Sequence, residues 1–276
     1  MRKRLVYIPG SGAPEISLDG PLSWTQGGAA GLRGRAWNRT LGFRDLFNAT
    51  RPAREVSVVV FAAFGAADEL RRAADADVAQ KTPGALLFDG AWRQKAYILE
   101  SEATPHYNGV ILELTIALME GAWWAIQEKS FTVDAGTSAE DYLDYPFDYE
   151  YDFGAPASAD SVDTGLLVPS PIRLTIFGPA TNPYVVIGAN RYQVNVTIPN
   201  GGYLVVDGMA HTIRLVAQNG TVTDAFAQGE RGSGQGGGNY IFEPIPAGET
   251  SVSWDRSFGF DLGWYDMEGE PPWSRS

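Results

Sequence analysis

The chain has 276 residues, a net charge of −12 and a sequence pI near 4.6, which argue against nucleic acid or an anionic membrane as its main partner. It contains no cysteine, so disulfides, thiolate nucleophiles and cysteine-ligated zinc are excluded. The 32 glycines, 17 prolines and 44% hydrophobic residues favour a β-rich globular protein of one or two domains.

The N-terminus does not support a secretory leader. Met1-Arg2-Lys3-Arg4 resembles the basic start of a signal peptide, but Pro9-Gly10 interrupts the apolar segment that follows. The longest apolar run, residues 56–67, is too short and too interrupted to span a bilayer. We therefore expect a soluble protein that is made in a cytoplasm without a cleaved leader and does not insert into a membrane.

The first half of the chain predicts strands around one helix. Residues 54–62 have the continuous β-branched character of a central strand covered on both faces. Residues 66–78 are rich in helix formers and end before Pro83-Gly84. Asp89-Gly90 accepts the positive φ of a type I′ hairpin turn. The other predicted elements are strands over residues 5–8, 16–21, 85–88, 91–99 and 110–118, and a glycine-rich basic loop or wide hairpin over 27–37.

Residues 145–153 alternate with period two, which is typical of an extended strand with two unlike faces. Aromatic side chains take every odd position, and Asp148, Glu150 and Asp152 share the other face. A linker begins at Gly154. Two interpretations stay open: an ordinary edge strand with a solvated acidic face, or a junction strand whose aromatic face seals the first domain and whose acidic face meets a basic neighbour.

Charge is distributed unevenly along the chain. One early segment has Asp45 as its only acid, whereas residues 140–163 contain eight acids and no base. This separation predicts complementary patches, either within the fold or between copies of it. The basic residues of the early segment are Arg33, Arg35, Arg39, Arg44, Arg51 and Arg54.

The second half predicts about nine short strands and no helix. Turn dipeptides such as Asp207-Gly208 and Asn219-Gly220 recur at regular spacing between them. This rhythm is typical of a two-sheet sandwich or jelly roll. The predicted strands span residues 172–177, 184–187, 192–198, 203–206, 212–217, 221–226, 240–245, 251–254 and 257–264.

The sequence predicts no catalytic, cofactor or metal site. Neither His106 nor His211 lies at metal-ligand spacing, and both are interpreted as structural or exposed. Residues 232–237 match G-x-G-x-x-G, but a strand-like, proline-broken segment follows where dinucleotide binding needs a helix. A surface loop, ordered against a partner, is the better interpretation. The acids at 148, 150 and 152 could in principle ligate calcium, but this stretch lacks the glycine turn of a calcium-binding loop.

Several short motifs together resemble the distal tail proteins of long-tailed bacteriophages. The resemblance covers nearly the whole chain, and its strength lies in the order and spacing of motifs that are individually weak. The motifs in the second half include Phe242-Glu243-Pro244-Ile245-Pro246-Ala247-Gly248. The others occupy residues 56–62, 83–90, 92, 95–97, 144–149, 182–183, 187–188, 192, 207–208, 212, 219–220, 253–254 and 270–273.

The resemblance implies a mainly β protein with two domains that have different roles. An N-terminal β-rich domain with one helix, residues 1–154, would close a hexameric ring at the tip of the tail tube. After a linker over 155–167, a galectin-like β-sandwich, residues 168–276, would project outward. It implies a virion protein of the tail tip, made in the bacterial host cytoplasm, that is not an enzyme. Its implied partners are further copies, the tail tube protein and the tail-associated lysin or baseplate hub.

The leading hypothesis is therefore a structural adaptor that assembles head to tail into a ring. Two alternatives are a carbohydrate-binding module, in which the sandwich contacts host cell-surface glycans, and a glycan-cleaving enzyme, for which no pair of carboxylates stands out. The predicted subunit interface pairs the basic segment with the acidic face, that is Arg33, Arg35, Arg39, Arg44, Arg51 and Arg54 with Asp148, Glu150 and Asp152.

Overall fold

The computed structural model describes residues 5–34, 36–133 and 160–272, and its contacts divide the chain into two units. Unit 1 comprises Met1–Ala125 with Met267–Ser276, and unit 2 comprises Ile126–Asp266. Each unit has a hydrophobic core of its own. The predicted domain boundary at residue 154 lies outside the described residues and stays a prediction.

Unit 1 consists of antiparallel strands and one α-helix, with two short 3-10 turns at Gln26–Gly28 and Ala30–Leu32. The strands confirm the β-rich fold class. In chain order the elements are β1 (Leu5–Ile8), β2 (Ile16–Ser17), β3 (Ser23–Thr25), β4 (Asn38–Leu41), β5 (Leu46–Thr50), β6 (Arg54–Ala62), α1 (Phe64–Gln80), β7 (Gly84–Phe88), β8 (Trp92–His106), β9 (Gly109–Leu118) and the first residues of β10 (Trp123–Phe131), a strand that belongs to unit 2 from Ile126 onward.

The main sheet of unit 1 has the strand order β3-β6-β9-β8-β7-β1-β2, and all of these pairs are antiparallel. Strand β9 lies inside the sheet between β6 and β8, and its even-numbered residues from Val110 to Leu118 are all buried. Asp89 and Gly90 both take positive φ between β7 and β8, as the predicted type I′ turn requires.

The prediction that β6 is covered on both faces is wrong for this chain. Val58, Val60 and Ala62 are buried, whereas Glu55 and Ser57 on the other face are exposed. The alternation places one face of β6 on the core and leaves the other open. The prediction failed because Val56 and Val59 give the sequence of β6 a continuous β-branched run, whereas both side chains are only half-buried in the structure.

Helix α1 covers part of the core face of this sheet. Its own residues Leu70, Ala73 and Ala74 are buried. The helix extends two residues beyond the predicted range at each end. Lys81 ends the helix in the left-handed conformation, and its N–H bonds to the carbonyl groups of Asp77 and Val78. Two residues later Pro83 prevents the helix from continuing.

A buried carboxylate attaches the N-terminal strand to the end of α1. Asp77 is fully buried and accepts hydrogen bonds from the Tyr7 hydroxyl at 2.6 Å, from the Gly10 N–H at 3.0 Å and from the Ser11 N–H at 2.8 Å. Burial acts to raise the pKa of Asp77, but the hydrogen bonds from Tyr7, Ser11 and Gly10 outweigh it, and the pKa lies below its ordinary value. Burial, with Asp77 beside it, raises the pKa of Tyr7.

Unit 2 is made of short strands without an α-helix in its described residues. In chain order they are β11 (Asp160–Asp163), β12 (Ile172–Phe177), β13 (Ala180–Thr181), β14 (Tyr184–Ile187), β15 (Asn190–Gln193), β16 (Thr197–Ile198), β17 (Tyr203–Asp207), β18 (Thr212–Val216), β19 (Val222–Asp224), β20 (Glu249–Ser253) and β21 (Phe260–Glu268).

Two antiparallel sheets form the predicted sandwich of unit 2. One has the order β19-β18-β17-β12-β21 and the other the order β11-β20-β14-β15. Both sheets contribute side chains to a single buried cluster, for example Leu174 and Leu204 from the first and Val185 and Val252 from the second. The alternate residues of each strand therefore face the opposite sheet, which is the defining pattern of a β-sandwich.

The predicted Asp207-Gly208 turn is held by side-chain hydrogen bonds. Asp207 Oδ1 accepts from the N–H groups of Met209 and Ala210, both at 2.9 Å, and Oδ2 accepts from the Tyr265 hydroxyl at 3.0 Å. An aspartate that bonds to the backbone two residues later is a standard turn device. This turn fixes the register in which β17 pairs with β18.

The structure corrects the sequence interpretation at three places in the second half. Asp160–Asp163, assigned to the linker, is a strand that pairs with β20. Residues 240–245 were predicted as a strand but form a turn with one isolated bridge between Ile245 and Ser170, because Pro244 and Pro246 lack the donors that a ladder needs. The strand predicted over 192–198 is broken into β15 and β16.

The Asp77 carboxylate predicts acid sensitivity. Because its pKa in the folded protein is lower than the 3.8 of the free side chain, it stabilises the fold above that pH and stops doing so as the pH falls through the folded pKa. We expect Asp77→Asn to reduce the free energy of unfolding by about 1–3 kcal/mol at neutral pH, with the difference from the native chain shrinking in acid. Urea unfolding between about pH 6 and pH 2 checks this; a difference that stays constant over that range contradicts it.

Candidate assembly surface

Strands β4 and β5 form a hairpin of their own. They are paired from Asn38↔Thr50 to Leu41↔Leu46, with an irregularity after Thr40, and the Gly42 N–H closes the loop on the Asp45 carbonyl at 2.8 Å. All residues of both strands are exposed. A two-stranded sheet without a packed face is marginally stable by itself, so this hairpin is a candidate for docking against another molecule.

The hairpin exposes large apolar side chains. Phe43 at its tip is 95% exposed, Phe47 is 74% exposed and Leu41 is 68% exposed, and Leu46 and Trp37 are also exposed. Single exposed apolar residues are ordinary, but a contiguous group of them on one element marks an interaction site. The surface formed by residues 36–51 is called the hairpin surface below.

Three of the predicted interface arginines lie on the hairpin surface. The Arg44 guanidinium lies 5.3 Å from the centre of the Phe43 ring, and that of Arg51 lies 4.8 Å from the Trp37 ring. Arg39 is exposed on β4. Cation–π stacking of this kind leaves the charge available to an outside partner. The hairpin surface therefore combines apolar area with positive charge.

Arg33 and Arg54 have partners within unit 1. The Arg33 Nη1 donates to the Pro271 carbonyl at 2.6 Å and its guanidinium lies 5.5 Å from the Phe88 ring. The Arg54 Nη2 donates to the Leu32 carbonyl at 2.9 Å, and burial lowers the pKa of Arg54 while Glu270 acts in the opposite direction. The structure therefore separates these two from the arginines of the hairpin surface.

The acidic half of the predicted interface lies outside the described residues. This applies to Asp148, Glu150 and Asp152, to the whole 145–153 stretch, and to Arg35 on the basic side. The pairing of the two predicted sets stays a prediction.

The open face of the unit 1 sheet has an acidic surface that was not predicted from the sequence. Glu102 on β8 is directly opposite Glu113 on β9, and Glu100 and Glu55 lie on the same face. All four are exposed, and like charges in direct register repel. The dipeptide Asn108-Gly109 is typical of a hairpin turn, and it could have shown that β8 continues past its predicted end at Leu99. The alternating glutamates would then have been recognised as one face of the longer strand.

The two histidines and the glycine-rich segment considered in the sequence make local structural contacts. The His106 ring lies edge-on to Phe61 at 5.7 Å, and His211 lies 5.0 Å from Phe242. The glycine-rich segment makes turns of its own, and the Gly236 N–H donates to Glu243 Oε2 at 2.8 Å. Among the described residues, no group of three or more His, Cys, Asp or Glu side chains is arranged to hold a metal ion.

Most large aromatic side chains of unit 2 belong to its core. Phe131 stacks on Phe260 with 4.8 Å between ring centres, and Trp254 lies edge-on to Phe260 at 5.0 Å. Phe177 and Tyr203 are different: they are partners in the β12–β17 register and both are partly exposed. Phe177 also lines a cleft of about 480 Å³, to which Pro179 and Phe258 contribute.

Comparison with known proteins gives a result at the level of fold. No family model and no curated protein matches the sequence. The structure is similar to the Dit protein of phage SPP1, described as a paradigm of the hub adsorption apparatus in phages that infect Gram-positive bacteria, with a TM-score of 0.51, 13% identity and coverage of 95% of this chain and 98% of that one.

Two baseplate structures of phage P2 are also similar. In the activated conformation with calcium the TM-score is 0.55 with 10% identity, and 97% of this chain matches 99% of that chain. In the activated conformation with strontium the TM-score is 0.54 with 9% identity and the same coverage. The chain thus has the fold of phage Dit and baseplate proteins over nearly its whole length. In the described residues no helix is long and apolar enough to cross a membrane.

The separation of the arginines predicts different effects of substitution. Arg54→Ala removes a charged hydrogen bond to a backbone carbonyl and should lower the free energy of unfolding by about 1–2 kcal/mol. Arg39→Ala removes an exposed side chain and should change it by less than about 0.5 kcal/mol. Urea unfolding of dilute protein measures both. Equal effects of the two substitutions would show that Arg54 has no structural role.

Proposed function

We propose that the chain is a structural subunit of a phage tail tip that assembles into a closed ring between the tail tube and the baseplate. The observation that carries the proposal is the hairpin surface, which exposes apolar and basic side chains on an element without a packed face. The fold likeness to Dit and baseplate proteins supports the same role. Binding and assembly, rather than catalysis, are the functions of this surface.

A ring of identical subunits needs two different surfaces on each copy. Head-to-tail contacts bring one surface of each subunit against another surface of its neighbour, and a rotation that closes gives a ring. The hairpin surface supplies one of them, with Arg39, Arg44 and Arg51 as its charges. The acids predicted to meet it are Asp148, Glu150 and Asp152, and the glutamates opposite each other on the unit 1 sheet are additional negative charge on a different face.

The ring is proposed to contain six subunits, as the resemblance to distal tail proteins implies. Its partners are then the tail tube protein on one side and the tail-associated lysin or baseplate hub on the other. The proposed location is the tail tip of the virion, after synthesis in the cytoplasm of the bacterial host. Unit 2, a separate sandwich with its own core, is the part proposed to project outward.

The proposal predicts a defined oligomer. Purified full-length protein should form particles with six times the mass of the 29.9 kDa chain and six-fold symmetry in negative-stain images. Charge reversal at Arg39 and Arg44 together should reduce the oligomer, and the effect should depend on salt because both side chains are exposed and salt screens exposed charges. Mass photometry over a series of concentrations measures this. Arg72→Glu, an exposed substitution on α1, is the control and should leave the oligomer intact; a protein that is monomeric at every concentration contradicts unaided ring formation.

A second candidate function, glycan binding by unit 2, is supported by one observation. Phe177 and Tyr203 are partly exposed aromatic partners on neighbouring strands, and Phe177 lines a cleft; exposed aromatic faces suit sugar rings. Full-length protein should then bind host cell-surface glycans on an array, and the double substitution Phe177→Ala with Tyr203→Ala should abolish binding. Leu167→Ala, which removes another exposed apolar side chain of unit 2, should not. Binding that survives the double substitution excludes this site.

A further inference from the structure

A groove of about 280 Å³ lies between α1 and the β8–β9 hairpin of unit 1. Its floor includes Leu112, Leu114 and Ala103, and Phe64 and Leu70 of α1 contribute to its wall. Strand β8 continues beyond the part of the sheet that α1 covers, so Ala103 is exposed although it lies on the core face. Phe64, the first residue of α1, is also exposed. The groove is apolar inside and open to an outside side chain.

Acidic side chains of α1 lie beside this apolar groove. Asp68 and Asp75 both line it. Arg71 is the basic residue among the lining side chains, and it lies 3.6 Å from Asp68 in a helix pair. These three side chains have a formal charge of −1, and Asp75 is exposed. The Glu100 carboxylate does not add to this charge, because it accepts a hydrogen bond from the Thr115 hydroxyl on the opposite face of the sheet. An apolar group attached to a cation fits this environment best.

The tip of the hairpin surface has the complementary chemistry. Phe43 is almost fully exposed, and the next residue, Arg44, holds its guanidinium against the Phe43 ring. The described hairpin residues 36–51 carry three arginines and one aspartate. None of these residues lines the groove of the same copy. The occupant with matching shape and charge is therefore the tip of a second copy of this chain.

We propose that the Phe43–Arg44 tip of one copy docks into the groove between α1 and the β8–β9 hairpin of its neighbour. Phe43 enters the apolar floor between Leu112 and Leu70, and Arg44 pairs with Asp75 at the rim. This inference rests on the proposed ring and identifies the surface that receives the hairpin. Since the tip and the groove are different surfaces, the contact is head to tail, as a ring requires.

The two residues of the tip contribute in different ways. Transfer of a phenyl side chain from water into an apolar groove is favourable and roughly proportional to the area buried, so Phe43 is the anchor of the contact. Arg44 stays near the rim, where its pairing with carboxylates selects the orientation of the neighbour more than it adds affinity. An anchor of this kind typically dominates the affinity of an interface.

Crosslinking tests the contact directly, because the native chain contains no cysteine. Full-length protein with both Asp45→Cys and Ala103→Cys, which keeps Phe43 and Arg44 at the tip, should form intermolecular disulfides under mild oxidation and give a ladder of linked subunits on a non-reducing gel. The matched control combines Asp45→Cys with Glu113→Cys, which lies on the opposite face of the sheet, and should not form the ladder. A ladder from the control alone would move the docking surface to the open face and overturn the proposal.

Affinity measurements test the roles of the two residues. Phe43→Ala should weaken subunit association at least about tenfold, whereas Leu167→Ala, an equally exposed residue of unit 2, should leave it unchanged. Arg44→Glu and Asp75→Arg should each weaken association, and the two substitutions together should restore part of the loss. Sedimentation velocity over a series of concentrations measures these changes, and circular dichroism checks that each variant is folded.

The outcomes separate this inference from the proposed function. Native rings without a ladder from the Asp45→Cys, Ala103→Cys protein, or with unchanged affinity after Phe43→Ala, overturn the docking site and leave the ring in place. Native protein that remains monomeric at every concentration overturns both. A ladder together with weakened association of Phe43→Ala establishes the groove as the acceptor.

Discussion

The antiparallel pairing of β9 with β6 on one side and β8 on the other is the constraint on which unit 1 depends. Alternate residues of β9 are buried, so a shift of one residue would expose the whole set. This fixed register also places α1 over only part of β8 and β9. The uncovered remainder is the groove, and its residues keep core-like side chains because they continue the same alternation. The candidate docking surface is thus a direct consequence of how the core is built.

Elements whose stability comes from their own alternation or turn chemistry could be predicted from the sequence. Strands β6 and β12, helix α1 and the Asp89-Gly90 turn belong to this class. The β4–β5 hairpin could not be recognised, because both of its faces are exposed and no hydrophobic period distinguishes it from a loop. Strand β11 was missed for a related reason: it has one fully buried residue, Val162, among polar neighbours.

The candidate site was predictable only in part. The basic segment is visible in the sequence because its arginines are close together along the chain. The groove is not, since Asp68 and Asp75 of α1 and the apolar residues of β9 belong to two elements that the tertiary fold brings together. The division of the arginines between structural and exposed roles likewise depends on contacts such as that of Arg33 with Pro271, which is 238 residues distant in sequence. Charge composition indicates a patch, but packing decides which of its members remain available.

The exposed hairpin also affects the subunit before it assembles. Its exposed apolar side chains are, in a free chain, able to contact any other protein. Arg39, Arg44 and Arg51 are interspersed with Trp37, Phe43 and Phe47, and charged residues that flank an apolar strand suppress indiscriminate aggregation. The arginines that are proposed to orient a partner thus also reduce indiscriminate contacts of the free chain. On this proposal, solubility and assembly depend on one set of side chains.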